Sequence, residues 1–157
     1  MSKPNSVSGD TPLTQILAKT RLSVHPASFV LVGLPPAQQP AVEQLLPTLG
    51  ADFVQYIREP DVLTLLLPQP DWQAVQHRFP SAMVEGPLKI FTFTVAMDWQ
   101  VVGFLAAVTG WLAQNGIPLG AVCGYYRDHL FIAGTYAAQA EQLLREKLAE
   151  SRRLSGD

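Results

Sequence analysis

Residues 88–97 alternate in side-chain character one by one. Ile90, Thr92, Thr94 and Ala96 fall on one side, and Phe91, Phe93, Val95 and Met97 on the other. A period of two over this length predicts a β-strand with one face against a core. The period then changes: over residues 100–115, Val101, Phe104, Leu105, Val108 and Leu112 form one helical stripe, and Asn115-Gly116 is a helix stop signal. A strand is expected at 117–125, a tight turn at Arg127-Asp128, a return strand at 130–133 and a last helix over 139–149. From residue 88 the order is therefore strand, helix, strand, strand, helix.

The same order is readable upstream. Residues 28–34 predict a strand, 41–46 a short helix between Pro40 and Pro47, 53–58 and 62–67 two strands, 70–79 a helix and 81–85 a strand, broken by Gly86-Pro87. Both stretches fit the βαββαβ order of a ferredoxin-like module, two helices on one face of an antiparallel sheet. The expected class is α+β. Residues 1–10 are polar and read as a flexible tail. Thr11-Pro12 reads as a helix N-cap and first helical position, and a first module spans 20–86 and a second 87–150. The second module lacks a closing strand. Residues 21–25 form a spare strand, expected beside 88–97 or 130–133 so that no sheet edge is left unpaired.

Composition narrows the function. Hydrophobic residues make up 48% of the chain and charged residues 15%, enough apolar material for packed cores. A net charge of -2 with scattered Lys and Arg argues against a nucleic-acid surface. The longest apolar stretch is interrupted by Gly103, Thr109 and Gly110, so no membrane span is expected, and a cytoplasmic protein is the reading. One cysteine, Cys123, permits no intrachain disulfide, and three dispersed histidines suggest no metal site. A mid-strand Cys123 reads as a buried, inert thiol. Tyr125, Tyr126, Asp128 and His129 cluster at one hairpin, but adjacent strand residues point to opposite faces, which makes Asp128 and His129 a poor acid–base pair. No catalytic residues and no cofactor are expected.

The segment GIPLGAVCGYYRDHLFI at residues 116–132, with residues 91–114 before it, resembles the small bacterial and fungal proteins built of tandem ACT domains. HPASFVLVGLP at 25–35 fits the same family. The resemblance implies tandem ferredoxin-like ACT modules with antiparallel sheets and a regulatory, small-ligand-binding protein without catalytic activity. The ligand it implies is an amino acid, bound at the loop between first strand and first helix, often where modules or the subunits of a homodimer meet. The alternative is an ACT-fold protein–protein interaction module that has lost its ligand. The implied site comprises Asp98, Trp99, Val102, Gly103, Cys123, Gly124 and Tyr125. Free amides near Val101 to Gly103 would take a carboxylate and Asp98 an ammonium group. Cys123 and Gly124 would offer backbone groups, and Trp99 or Tyr125 would shield the site. Two alternatives remain open here: Asp98 as a simple helix cap, and Gly103 as a helix-packing glycine.

Overall fold

The computed structural model describes residues 11–95 and 99–156. Backbone contacts divide the chain into two compact units, one of residues 26–88 and one in which the segment up to His25 joins residues from Lys89 onward.

In the 26–88 unit, β2 (Phe29–Leu34) pairs antiparallel with β4 (Leu63–Pro68), and β4 with β3 (Gln55–Arg58). On its other side β2 pairs with the first part of β5 (Met83–Thr94). Two short helices, α2 (Gln39–Leu45) and α3 (Gln69–Val75), complete the unit, each run on by a single 3-10 turn. The core is aliphatic, from Val30, Val32, Leu34, Val42, Leu45, Leu63, Leu65 and Leu67, closed by stacked Trp72 and Phe79. Alternate residues of β2 and β4 reach this core, as a half-covered sheet requires.

Gly86-Pro87 does not break the strand, contrary to the sequence reading. Phe29 pairs with Leu88 and Leu31 with Glu85, so β5 holds one extra residue across that interval. The bulge absorbs the proline. Gly86 sits at φ +152°, and a Cβ there would lie 3.1 Å from the Phe29 carbonyl oxygen, so only glycine fits without strain.

In the other unit, β1 (Arg21–Val24) pairs antiparallel with the later part of β5, Arg21 opposite Thr94 and Val24 opposite Phe91. Strand β7 (Arg127–Ala133) lies beyond β5, and β6 (Gly120–Cys123) beyond β7. Helices α1 (Leu13–Lys19), α4 (Phe104–Gln114) and α5 (Gly134–Ser155) supply the rest. Phe91, Phe93 and Val95 of β5, with Leu130 and Ile132 of β7, form one core with Val108 and Leu112 of α4 and Ala140, Leu144 and Leu148 of α5. Ile16 and Leu17 of α1 belong to the same core, and the buried Thr20 donates its hydroxyl to the Ile16 carbonyl at 2.8 Å where α1 ends. Helix α1 starts at Leu13 with Pro12 as its cap, so Thr11 does not cap it. Helix α5 starts directly after β7, five residues earlier than the sequence suggests, and takes in most of the polar tail. Glu141–Arg145 and Lys147–Glu150 ion pairs line its exposed face, the spacing at which a solvated helix gains small electrostatic support.

Candidate functional site

Helix α4 begins at Phe104, and Gly103 is its N-cap, at φ +94°. Gly103 is therefore not inside the helix, as the sequence periodicity suggests. It turns the chain into the helix through a backbone region that other residues avoid. Its side-chain-free cap makes no capping hydrogen bond, and the first turn holds no acidic residue. The first intrahelical bond runs from the Ala107 N–H to the Gly103 carbonyl at 2.9 Å, so the amides of Phe104, Leu105 and Ala106 have no acceptor within the helix. Asp98 is not the N-cap residue, and its own position lies outside the described residues.

Facing this helix end is the β6–β7 hairpin. The Gly124 N–H donates to the Arg127 carbonyl at 2.8 Å, which closes the hairpin around Tyr125 and Tyr126. The turn thus lies two residues before the expected Arg127-Asp128, and both of those residues belong to β7. Tyr125 and Tyr126 meet edge to face, ring centroids 4.8 Å apart. The hydrogen bond from Gly124 also sets the phase of β6. Gly124 faces inward to β7, and Cys123 and Asp128 form a directly opposed pair without backbone bonds between them, the closer of the two antiparallel spacings.

A cavity of about 450 Å³ opens between the helix end and the hairpin. Trp99, Val101 and Gly103 to Ala106 line one side, and Cys123 to Asp128 the other. Of the residues named from sequence, Trp99, Gly103, Cys123, Gly124 and Tyr125 come together here. Val102 does not line the cavity; it is 87% exposed. Sequence reasoning missed Phe104, Tyr126 and Asp128, because the first was read as core, the second as hairpin packing and the third as a turn. Trp99 is 93% and Tyr125 81% exposed, so the rim is aromatic and open to solvent.

Cys123 is exposed, not buried. Partial desolvation, then the hydrogen bond to the Asp128 carboxylate and its negative charge, push the thiol's pKa up. A protonated thiol is a weak nucleophile. His129 turns the other way. Its Nδ1 lies 2.9 Å from the Thr92 hydroxyl on the face of the sheet opposite to the helices, so Asp128 and His129 do not form a dyad. Burial lowers the His129 pKa below its ordinary value; Asp128 opposes this and Arg127 reinforces it. The unfolded chain then takes up a proton first as pH falls through about 6.5. The His129 contribution to stability is present above that pH and is lost on acidification toward the lower folded value. Denaturant midpoints measured between pH 7.5 and 5.5 should fall, and His129→Gln should flatten that part of the fall; an identical pH profile in the variant would refute this. Among the described residues, no group of three or more His, Cys, Asp or Glu side chains could hold a metal ion.

The cavity lies at the start of the first helix of a βαββα unit. Residues 84–146 match the ACT domain family model. The match runs from β5 through most of α5 and so contains the cavity. A crystal structure of a Vibrio cholerae protein of unknown function, described as a possible transport protein, is 27% identical over 88% of this chain and 98% of its own, with a TM-score of 0.68. An Agrobacterium tumefaciens protein is 20% identical, covering 85% of this chain and 90% of its own, TM-score 0.65. The regulatory subunit of aspartate kinase from Thermus thermophilus, in a ligand-free form, is 12% identical, with 80% and 96% covered and a TM-score of 0.60. At such identities the last two show the fold, which is the ferredoxin-like α+β fold of ACT domains with antiparallel sheets. No curated protein matches the sequence. Among the described residues, no helix is long and apolar enough to cross a membrane.

Proposed function

We propose that the chain is a regulatory protein that binds a small ligand, an amino acid, and performs no reaction on it. The observation that carries this reading is the cavity lined by Gly103 to Ala106 at the start of α4, the helix end whose first amides have no intrahelical acceptor. Free amides and the positive end of the helix dipole suit a carboxylate. Trp99, Gly103, Cys123, Gly124 and Tyr125 then act as binding residues, with the aromatic pair covering the ligand. The ACT match over residues 84–146 supports the regulatory role, as does the regulatory nature of the aspartate kinase subunits that share its fold. The regulated activity belongs to a partner, and the expected working form is a cytoplasmic homodimer.

A thermal-shift screen against the twenty amino acids tests the reading. A ligand at about 100 times its Kd stabilises the native state by about 2.7 kcal/mol, which for a chain of this size raises Tm by about 5–10 °C. Stabilisation by one amino acid or a chemically related few is the expected result. A flat response to all twenty sinks the amino-acid reading. It would instead favour an interaction module, whose supporting observation is the exposure of Trp99, Val102 and Tyr125; exposed large apolar residues can anchor an interface.

A further inference from the structure

Two charged residues, Arg127 and Asp128, line the cavity, and the strand that carries them fixes the direction of the Asp128 side chain. Along β7, Leu130 and Ile132 are buried in the core beneath the helices. Side chains alternate, so Asp128 shares their face and points to the cavity, while Arg127 and His129 share the opposite face. Arg127 contributes its carbonyl to the hairpin closure instead. Cys123 lies directly across from Asp128 in the register of β6 and β7, and its side chain shares that face. The cavity therefore has a carboxylate on the hairpin side and the first-turn amides of α4 on the other, with Trp99, Phe104, Tyr125 and Tyr126 among its walls.

We infer that Asp128 takes the ligand's α-ammonium group, and that Trp99 and Tyr125 select a large apolar side chain, best an aromatic one. This rests on the amino-acid reading above and names the ligand class within it. An α-carboxylate on the amides and an α-ammonium on Asp128 use both polar ends of the cavity. The ligand's side chain is then left with aromatic and aliphatic walls. A charged side chain gains little from such walls, whereas an apolar one gains by covering them. A glycine or alanine would fill little of about 450 Å³. An aromatic side chain would cover Trp99 and Tyr125, now 93% and 81% exposed, and aromatic pairs add to the gain from burial.

Calorimetric titration of the intact chain with phenylalanine and with 3-phenylpropanoate, which lacks the ammonium group, tests both parts. The wild type should prefer phenylalanine by about tenfold or more, the range for a hydrogen bond between charged groups. Asp128→Asn should bring that preference to within about threefold, with 3-phenylpropanoate binding as tightly as before or tighter because a like charge has left the cavity, and Asp128→Glu should retain the preference. A melting curve on each variant confirms that it is folded. A full preference in folded Asp128→Asn overturns the role of Asp128. Arginine, lysine, aspartate or glutamate binding more tightly than phenylalanine overturns the side-chain class, as does phenylalanine affinity unchanged in Trp99→Ala and Tyr125→Ala. Absence of binding by any amino acid is a separate outcome, which removes the underlying amino-acid reading itself.

Discussion

Phe93→Ala is expected to lower the unfolding free energy by about 3–5 kcal/mol, the usual cost of deleting a buried aromatic ring. Phe93 has no exposed surface and packs edge to face with Phe104, ring centroids 5.7 Å apart at 80°. The core it belongs to also draws on β7, α4 and α5, besides α1. Collapse into the vacancy would have to move these elements, so little of the loss should be recovered. Phe104 is also the first residue of α4 and lines the cavity. The same substitution should therefore weaken binding of the stabilising amino acid, even though Phe93 does not touch the cavity. Urea unfolding with a fitted midpoint and slope measures the first effect. A loss below about 1 kcal/mol would mean that the core repacks around the vacancy.

Gly103→Ala carries the second large effect, for a backbone reason. At φ +94° a residue with a Cβ is strained by about 1–3 kcal/mol, and the added methyl would stand 3.3 Å from Leu13 Cδ2, which must give way. Gly110→Ala is the matched control on the same helix. Gly110 has open space where a Cβ would go, and alanine favours a helix interior by about 0.5–1 kcal/mol. The two substitutions, chemically identical, should move the urea midpoint in opposite directions. A neutral Gly103→Ala would mean that the loop ahead of α4 relaxes at no cost.

How far the site can be read from sequence depends on which physical signal carries each part. The alternation through Phe91, Phe93 and Val95 is visible because burial on one face of a strand imposes a period of two, and all three prove buried. The stripe of Val108 and Leu112 is visible for the parallel reason in a helix. The start of that helix is not, because Val101 continues the apolar spacing and a positive φ at Gly103 leaves no mark in hydrophobicity. The hairpin turn is misread because Asp favours turns on average, whereas the Gly124–Arg127 hydrogen bond puts two tyrosines there. That shift of two residues moves Asp128 from a turn onto the strand face that borders the cavity. Its omission from the expected site follows directly. The length of α5 is missed because residues 151–155 are polar apart from an exposed Leu154, and Ser151 alone among them is buried.

The pairing of Arg21–Val24 with Phe91–Thr94 has a consequence for biosynthesis. Strand β1 leaves the ribosome before its partner, which is made some seventy residues later, and the helix that packs on α1 comes later still. Residues 26–88 hold nearly all of their own pairings, so this stretch can condense while the opening segment is still without a place. The opening segment must be kept from alternative pairings during that interval, since the entropy of closing so long a loop grows only slowly with length while the waiting time grows in step with translation. A circular permutant that begins at residue 26 and carries residues 11–25 after Ser155 would place α1 and β1 behind the strand and helix they pack on. The yield of folded protein made by cell-free translation, against that of the natural order, would report how much this wait hinders the assembly of the unit that carries the cavity.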